Sequence, residues 1–391
     1  MDYKYSSQDI AFRDEVSAFI EQELPTWWDD VHDVREAPEF YEAQQEFKKK
    51  LAAKRWFAMA WPTEYGGQSA SITRQMIFSE VTARYAAPAG GQGVAWVGPA
   101  ILLFGTEEQK KNYLPKITSA EIEFCTLYTE PGAGSDLAAL QTSAERDGDE
   151  YVINGHKIFN SNADLADYGW LAARTDPNLP KHRGISLFVV DMKTPGITVN
   201  AMTSMADMNG SREVYFEDVR IPVASLVGEE NRGWYHMAVS LDFERSGVAK
   251  VSEAERVLQE MVSYAKTTTR KGNPLSEDPS VRSKLNQMAI EVEVARYLSY
   301  QVASLQDRGV PFSHQASVAK VYGTELSLRV YNVALQVMGL HGQLRKNSKH
   351  APFNGRYSFE YLNSWGSMFG AGTSEIQRNI IATRGLGLPR D

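Results

Sequence analysis

The strongest constraint on the fold is a pair of long apolar stripes in the last third of the chain. One stripe advances by three or four residues over 285–305, and the other does so over 318–338. This spacing places apolar side chains on one face of a helix, which another element must then cover. Because only the short turn at 308–311 separates the stripes, they predict two long antiparallel helices of a helical bundle.

The rest of the chain divides into two further zones. From residue 6 to about 125 the apolar spacing is again helical, and Leu24-Pro25 ends the first predicted helix. From about 126 to 228 the pattern is typical of strands, with an apolar run at 185–190 and an extended segment that ends at Pro222. Asn154-Gly155 lies between apolar arms, which predicts a hairpin turn. We therefore predict a helical, a β and a helical domain over 1–125, 126–228 and 229–391.

The composition excludes several classes of function. The 41 Lys and Arg residues are outnumbered by 49 Asp and Glu residues, which argues against general binding of nucleic acids. A hydrophobic fraction of 43% is sufficient for a folded core. Cys125 is the single cysteine and the seven histidines show no metal-ligand spacing, so neither a disulfide nor a metal site is expected.

No targeting or membrane-spanning segment is expected either. The N-terminus is charged from residue 2 and has no basic region before an apolar run, unlike a signal peptide. The uncharged stretch 85–106 is nearly long enough to cross a bilayer. It contains several glycines together with Pro88 and Pro99, which favours a buried and broken pair of helices. We interpret the protein as soluble and cytoplasmic.

The most distinctive local segment is 129–136, with the sequence Thr-Glu-Pro-Gly-Ala-Gly-Ser-Asp. Three small residues and a proline form a loop whose backbone can approach a flat or phosphorylated ligand closely. An ordinary turn between domains explains the same residues equally well. The segment matches neither the G-x-G-x-x-G fingerprint nor a Walker loop, so it indicates neither of those modes of nucleotide binding.

Segments along most of the chain resemble the acyl-CoA dehydrogenase family. Residues 129–136 resemble the family's flavin-loop signature, and we call them the flavin loop. Residues 154–157 match its N-G-x-K element, and residues 372–378 match its C-terminal G-T-S-x-I-Q-R. Three more segments agree with family elements in the same order, namely 61–67, 104–115 and 216–222. The resemblance therefore extends over nearly the whole chain.

The resemblance implies an α+β subunit with an N-terminal helical domain, a middle β-barrel domain and a C-terminal four-helix bundle. It also implies FAD and the α,β-dehydrogenation of an acyl-CoA thioester to the trans-2-enoyl-CoA, as in the β-oxidation of lipids. In the family a carboxylate removes the α-proton, the β-hydride passes to flavin N5, and an electron-transferring flavoprotein reoxidises the flavin. A homo- or hetero-oligomer is expected, with a tetrameric dimer of dimers as the family arrangement.

The family's flavin contacts carry over to a set of positions in this chain. Around the flavin loop and after the N-G-x-K element they are Tyr128, Thr129, Gly134, Ser135, Phe159, Asn160 and Ser161. Further contacts are expected from Arg270, Gln336, Gly339, Thr373 and Glu375. Phe-Asn-Ser at 159–161 replaces the family's Trp-x-Thr, so Phe159 either covers the flavin ring or packs inward as a strand residue. Of the R-x-x-F-G element, which grips the neighbouring subunit's FAD, only Gly272 lines up, and Arg270 is a candidate substitute.

The main departure from the family concerns the catalytic base. Many members have Glu immediately before G-T-S-x-I-Q-R, where this chain has Ala371. In the family the backbone N–H at this position is one of two donors to the thioester oxygen, and Ala371 retains that N–H, but its methyl group cannot accept a proton. The resemblance indicates Glu244 as the base, because some members place the base on the helix that follows the β-domain, in a Glu-Arg pair such as Glu244-Arg245. Arg245 then helps to hold the CoA moiety, with Ser135 and Asp242 as further substrate contacts.

Several alternatives remain open at this point. Glu244 and Arg245 have the composition of an ordinary solvated charge pair. If Glu244 is the base, a branched, very long or cyclic acyl chain is expected, as in the steroid-side-chain members. A second interpretation is a catalytically silent subunit of a heteromeric acyl-CoA dehydrogenase, which Ala371 and the weak R-x-x-F-G element favour. A third is a relative with other thioester chemistry, such as oxidation by O₂ or elimination.

Overall fold

The structure is a computed structural model that describes residues 5–207, 210–240 and 247–389. Helices come first in the chain: α1 Ser7–Glu23, α2 Pro38–Ala53, α3 Ile72–Arg84, α4 Gly98–Phe104 and α5 Glu107–Thr118. The chain divides into two compact units, which we call the helical unit (1–43, 70–88 and 245–391) and the sheet unit (44–69 and 89–244). The predicted α+β class with its order of helices, strands and helices is confirmed, while the boundaries of three domains stay a prediction.

Side-chain caps fix the starts of two of the early helices. The Ser6 hydroxyl accepts from the Asp9 N–H ahead of α1, and the Asp9 carboxylate accepts from the Ser6 N–H in return. Thr106 and Gln109 make the same reciprocal pair at the start of α5. Each pair satisfies backbone donors that have no partner inside the helix. Helix α1 ends at Glu23, and Leu24 is extended, as the proline that follows it predicts.

One mixed sheet occupies the middle of the chain. Its strands are β1 Phe124–Leu127, β2 Ser143–Asp147, β3 Glu150–Lys157, β4 Tyr168–Arg174, β5 Ile185–Asp191, β6 Ile197–Met202, β7 Ser211–Pro222 and β8 Leu226–Val227. The order across the sheet is β6-β7-β3-β2-β4-β5-β8, and β1 pairs with β4 off this path. Pairing is antiparallel except where β1 and β2 meet β4.

The sheet curves around a core of its own. The rings of Tyr151 on β3 and Phe188 on β5 have centroids 4.9 Å apart, although two strands lie between them in the sheet order. In a flat sheet, strands three positions apart are separated by about 14 Å. The sheet therefore bends so that β3 and β7 face β4 and β5 across one apolar interior.

Strands β4 and β5 are covered on both faces. Leu171 and Val190 contribute to the interior of the curved sheet, whereas Trp170 and Val189 pack on the opposite side with the helices of the same unit. That second core includes Ile101 of α4. Burial on both faces explains why the sequence at 185–190 is continuously apolar rather than alternating, and the predicted covered strand is confirmed.

The predicted hairpin turn at Asn154-Gly155 is wrong. Strand β3 runs through both residues, and the turn lies earlier, at Gly148, which has a φ of +62°. Glycine is needed at 155 for a different reason, because a Cβ there would lie 2.3 Å from Thr142 Oγ1. The Asn154 side chain instead exchanges two hydrogen bonds with Asp218 on β7, where the pairing of β3 and β7 is irregular.

Helices return after the sheet and form the main core of the helical unit. They are α6 Gly233–Ser240, which belongs to the sheet unit, and then α7 Val248–Thr267, α8 Pro279–Asp307, α9 Ser313–Met338, α10 Arg356–Ser364 and α11 Ser374–Ile380. Between α7 and α8, two-residue strands at 269–270 (β9) and 273–274 (β10) form a small hairpin. The two predicted stripes coincide with α8 and α9, and their buried residues pack with those of α7 around Tyr357 of α10.

The stretch 85–106 is a short, interrupted helical segment. A π-helical turn at Gly93–Val97 leads directly into α4, and Pro99 stands in the first turn of that helix. The Trp61 ring packs directly on Gly98, since a Cβ there would lie 1.9 Å from the indole. Across the parts of the chain that the structure describes, no helix combines the length and apolar character needed to cross a membrane.

Candidate active site

The predicted residues that the structure describes are divided between the two units. The sheet unit contains the flavin loop and residues 159–161, and the helical unit contains Arg270, Gln336, Gly339 and the segment 371–375. Asp242, Glu244 and Arg245, which include the predicted base, lie outside the described residues. The geometry of each group is given separately below.

A buried ion pair fixes the first half of the flavin loop. Lys157, at the end of β3, is completely buried, and its Nζ lies 2.7 Å from Glu130 Oε1. The same Nζ donates to the carbonyl oxygen of Tyr128 at 3.0 Å. The Ile158 N–H donates to the Thr129 carbonyl oxygen at 2.8 Å. Residues 128–130 are thus attached one after another to 157–158.

The Glu130 carboxylate also receives two backbone donors. The N–H groups of Gln141 and Thr142 lie 2.6 and 2.8 Å from its oxygens. Although burial acts in the opposite direction, the attraction of Lys157 and these hydrogen bonds hold the pKa of the Glu130 carboxyl below its usual value. Complete burial outweighs the attraction of Glu130 for the ammonium and lowers the pKa of Lys157 to about 8.

The segment that follows the flavin loop is held by Arg174 at the end of β4. Its guanidinium donates to the carbonyl oxygens of Ala138, Leu140 and Lys181, at 2.7, 3.0 and 3.1 Å. Lys181 also forms an exposed ion pair with Asp136, the last residue of the loop. Both ends of the flavin loop are therefore tied to strands, while residues 131–136 are exposed apart from Ala133.

The exposed tip of the loop leaves its backbone open. At Gly132 and Gly134 the position of a Cβ has no other atom within 4 Å. The N–H and hydroxyl of Thr129 have no partner within the described ranges of the chain. A loop with free donors and uncovered glycines can bring its backbone against a flat or anionic ligand.

Residues 159–161 combine strain with an unsatisfied acceptor. Phe159 adopts a φ of +58° and is 60% exposed, so it does not pack inward as a strand residue. Asn160 is buried and donates to the Thr126 carbonyl oxygen at 2.9 Å, but its Oδ1 has no partner in the described structure. The Ser161 carbonyl oxygen accepts from Gln92 Nε2 at 3.4 Å. Strained backbone and orphaned buried acceptors are typical of ligand sites.

These features fit the flavin that the resemblance implies. Phe159 offers an exposed aromatic face, the tip of the flavin loop offers open backbone, and Asn160 Oδ1 is a buried acceptor for a ligand donor. Thr129 and Ser161 lie on the two segments that carry these features.

In the helical unit, the structure places Arg270 beside Gly339. Arg270 Nη2 donates to the Val337 carbonyl oxygen at 3.2 Å and lies 3.6 Å from the position of a Cβ at Gly339. Gln336 is exposed on the same last turn of α9. Three residues predicted from two distant segments therefore share the C-terminal end of α9, where a cation is favoured by the helix dipole.

The loop that precedes α11 presents a free backbone donor. Ala371 and Gly372 have φ values of +53° and +83°. The Ala371 carbonyl oxygen accepts from Gln377 Nε2 at 3.2 Å, and the Gly372 carbonyl oxygen accepts from Lys320 Nζ at 2.8 Å. The N–H of Ala371 has no hydrogen-bond partner among the residues that the structure describes. The loop is thus fixed through its carbonyl groups while this N–H remains available.

Two further predicted residues lie at the start of α11. The Thr373 hydroxyl caps this helix by accepting from the Ile376 N–H at 3.2 Å, and Glu375 is exposed in its first turn. Thr373 therefore already has a structural partner for its oxygen. Burial lowers the pKa of the nearby Lys320 ammonium.

Sequence reasoning missed the roles of Lys320, Glu130 and Lys157. Lys320 lies inside the apolar stripe of α9, where a single lysine has no distinguishing pattern. Glu130 and Lys157 do belong to the quoted motifs, but no local pattern around Lys157 marks it as the buried partner of Glu130.

Family models match the chain almost from end to end. The N-terminal, middle and C-terminal domain models of acyl-CoA dehydrogenase match residues 6–121, 125–219 and 231–386. The chain is 40% identical to acyl-CoA dehydrogenase FadE26 of Mycobacterium tuberculosis over 343 residues, which are 86% of this chain and 85% of that protein. Acyl-CoA dehydrogenase FadE29 of the same organism is 35% identical over 85% of each chain.

Solved structures agree with these matches. The Tcur3481-Tcur3483 steroid ACAD superimposes with a TM-score of 0.91 at 35% identity, covering 100% of both chains. The ChsE4-ChsE5 complex from Mycobacterium tuberculosis also gives 0.91, at 36% identity and with the same coverage. From the three domain models and these similarities, the chain belongs to the acyl-CoA dehydrogenase family of flavoprotein oxidoreductases.

Proposed function

We propose that this protein dehydrogenates a bulky, branched or cyclic acyl-CoA, with FAD held by the flavin loop and residues 159–161 and with Glu244 as the α-proton base. The observation that carries the proposal is the geometry of Ala371. Its N–H is free of partners in the described structure, whereas its side chain is a methyl group. The donor for a thioester oxygen is therefore present in the backbone, and the base has to come from another residue.

The chain's own groups suit removal of an α-proton. That proton is weakly acidic, so the negative charge that develops on the thioester oxygen needs a fixed donor, which is the role we give to the Ala371 N–H. Lys320 and Gln377 hold the adjoining carbonyl groups and so fix the direction of this N–H. Bound FAD supplies the acceptor of the β-hydride. Arg245, Asp242 and Ser135 contact the CoA thioester in this proposal.

The expectation of a bulky acyl chain has two supports. Glu244-Arg245 has the Glu-Arg form and the sequence position that the resemblance associates with branched, very long or cyclic substrates. In addition, one of the similar solved structures is that of a steroid ACAD. In this proposal an electron-transferring flavoprotein, the acceptor that the resemblance implies, reoxidises the flavin and completes the cycle.

Anaerobic bleaching of the flavin tests the reaction and the substrate class together. The holoprotein is mixed with straight, branched and cyclic acyl-CoAs, and the flavin absorbance is followed without any electron acceptor. We expect bleaching with bulky thioesters and slower or no bleaching with short straight chains. Bleaching by none of the panel rejects the dehydrogenase proposal for this chain.

The role of Glu244 is tested by Glu244→Gln. The reductive rate should fall by about 10²–10⁴-fold, the contribution of a general base, while FAD stays bound. Glu229→Gln, at an exposed glutamate earlier in the chain, is the matched control and should leave the rate unchanged. Retained turnover in Glu244→Gln with FAD bound contradicts the assignment.

A catalytically silent subunit is the second candidate function. The structural similarity to two-component assemblies, Tcur3481-Tcur3483 and ChsE4-ChsE5, favours a heteromer in this case. Under this alternative, the protein purified alone carries no flavin absorbance and takes up no added FAD. Flavin retention by the isolated chain argues for the first candidate.

A further inference from the structure

The Glu130–Lys157 ion pair connects two sequence motifs, and the proposed function gives this contact no role. Glu130 belongs to the flavin loop and Lys157 to the N-G-x-K element, 27 residues later. Lys157 is 0% exposed and Glu130 is 7% exposed. Neither side chain reaches solvent to meet a ligand, so both act through the segments that they hold.

We propose that the Glu130–Lys157 pair is a positioning element that holds the flavin loop in the form that receives FAD. The inference rests on the proposed binding of FAD at this loop. The central observation is that Lys157 Nζ contacts the residues on both sides of Thr129. It donates to the carbonyl oxygen of Tyr128 and to the carboxylate of Glu130. Thr129 is thereby fixed on both sides, and its N–H and hydroxyl stay without partners in the described structure.

The pair also couples the flavin loop to the chain that follows it. The Glu130 carboxylate accepts hydrogen bonds from the backbone N–H groups of Gln141 and Thr142, and so fixes the two residues that lead into β2. The two sides of the loop are therefore brought together at one carboxylate. Glu130 and Ala133 close the enclosed turn by exchanging backbone hydrogen bonds of 3.1 Å. Loss of the pair frees residues 129–133 without removing any group that faces the ligand.

Charge near the pair predicts a dependence on pH. The charged groups that act on Lys157 are Glu130, which favours its ammonium form, and Arg174, which disfavours it. Burial lowers the pKa of Lys157 to about 8, so the ammonium is lost in mildly alkaline solution. The electrostatic part of the attachment is lost with it, and the loop is then held by hydrogen bonds alone.

The test measures FAD release from the purified holoprotein by the rise of free-flavin fluorescence. Lys157→Met should release FAD about tenfold faster or more than wild type at pH 7. Because this variant leaves Glu130 buried and unpaired, Glu130→Gln/Lys157→Met is made as well, removing both charges together. Both should keep the near-wild-type circular dichroism of a folded protein at the temperature of the assay.

Lys48→Met is the matched control. Lys48 is a second buried lysine of the sheet unit, paired with Glu123, and neither residue belongs to the flavin loop. This control should lose thermal stability but release FAD within about twofold of wild type. In wild type, release should accelerate as the pH rises from 7 to above 8, and this acceleration should be absent in Lys157→Met.

The outcomes separate this inference from the proposed function. A wild-type chain that never binds FAD contradicts the proposed function itself. A folded double variant that releases FAD as slowly as wild type, or a single variant with the wild-type pH profile, overturns the positioning role. Equal acceleration in Lys48→Met and Lys157→Met likewise overturns it, since the effect then reflects general stability.

Discussion

Arg270 Nη2 donates a hydrogen bond to the carbonyl oxygen of Val337, the penultimate residue of α9. This bond places a guanidinium at the negative end of a long helix and directly beside Gly339. It gives Arg270 a defined position, although the R-x-x-F-G element around it is weak. The guanidinium therefore lies at the same helix end as Gln336.

Arg270→Met should weaken FAD binding more than it weakens the fold. The lost hydrogen bond contributes about 0.5–1.5 kcal/mol to the free energy of unfolding. If Arg270 contacts FAD, as the resemblance implies, FAD release should accelerate about tenfold, because a charge next to the ligand is removed. Lys271→Met changes the neighbouring exposed lysine and is the control. An unchanged release rate in Arg270→Met contradicts a role in FAD binding.

Lys320→Met should lower turnover while FAD stays bound. The variant removes the donors to the Gly372 and Met368 carbonyl oxygens and so releases the loop that carries the Ala371 N–H. Misplacing one donor by about 1 Å costs about 10²-fold in rate. Stopped-flow reduction of the flavin measures this, with Lys320→Arg as a partial rescue and the exposed Lys266→Met as control. A wild-type rate in Lys320→Met is incompatible with the positioning of Ala371 by this lysine.

Phe159→Ala should separate flavin affinity from stability. The ring is 60% exposed, so its loss removes little buried area, and the melting temperature without FAD should be unchanged. If the ring covers the flavin, isothermal titration of FAD should show about tenfold weaker binding. A similar substitution at the exposed Leu103, on α4, serves for comparison. Equal FAD affinity in wild type and Phe159→Ala removes Phe159 from the site.

Gly155→Ala should destabilise the sheet. A Cβ at this position meets three atoms of the Thr142 side chain at 2.3–2.6 Å, and overpacking of this kind costs about 1–3 kcal/mol. Urea unfolding measures the change. Gly90→Ala is the control, because a Cβ there has no atom within 4 Å. A Gly155→Ala variant as stable as Gly90→Ala is evidence against the close approach of β3 to Thr142.

Cys125 should stay unreactive in the folded protein. Burial raises the pKa of its thiol to about 12, against about 8.5 for an unfolded cysteine. The folded state therefore favours the neutral thiol, and this contribution to stability is complete below about pH 8.5 and is lost as the pH rises towards 12. Thiol labelling at pH 8.5 should need denaturant. Cys125→Ala should lack this part of the alkaline loss of stability, and rapid labelling of native protein contradicts the expectation.

Local patterns predicted the elements whose cause is local. The stripes over 285–305 and 318–338 correspond to α8 and α9, and the apolar run at 185–190 corresponds to β5. In each case the apolar pattern is contained within one contiguous segment, so the sequence of that segment is sufficient to predict it. The hairpin turn predicted at Asn154-Gly155 was wrong because glycine can serve either a turn or a close approach of the backbone to another residue. The sequence of one strand does not show which residue lies against it.

The sequence could propose a candidate site only where its motifs are contiguous. The flavin loop and Ala371 were identified from short runs, but their supports come from distant positions. Lys320 and Gly372 are 52 residues apart, and the pairing of Glu130 with Lys157 requires β3 to run beside the loop. Contacts of this kind depend on the assembled sheet and helices, which a single sequence does not place.

Strands β4 and β5, buried on both faces, impose an order on how the chain acquires its structure during synthesis. Ile101 and Leu114 belong to the same apolar core as Trp170 and Leu187, which leave the ribosome later. Because the ribosome adds about 5–20 residues per second, the apolar surface of the early helices stays uncovered for several seconds. From the synthesis of α5 until that of β5, the nascent chain exposes this apolar surface and can aggregate. We therefore expect chaperones to bind during this interval, and truncated chains that end between α5 and β5 to aggregate most readily.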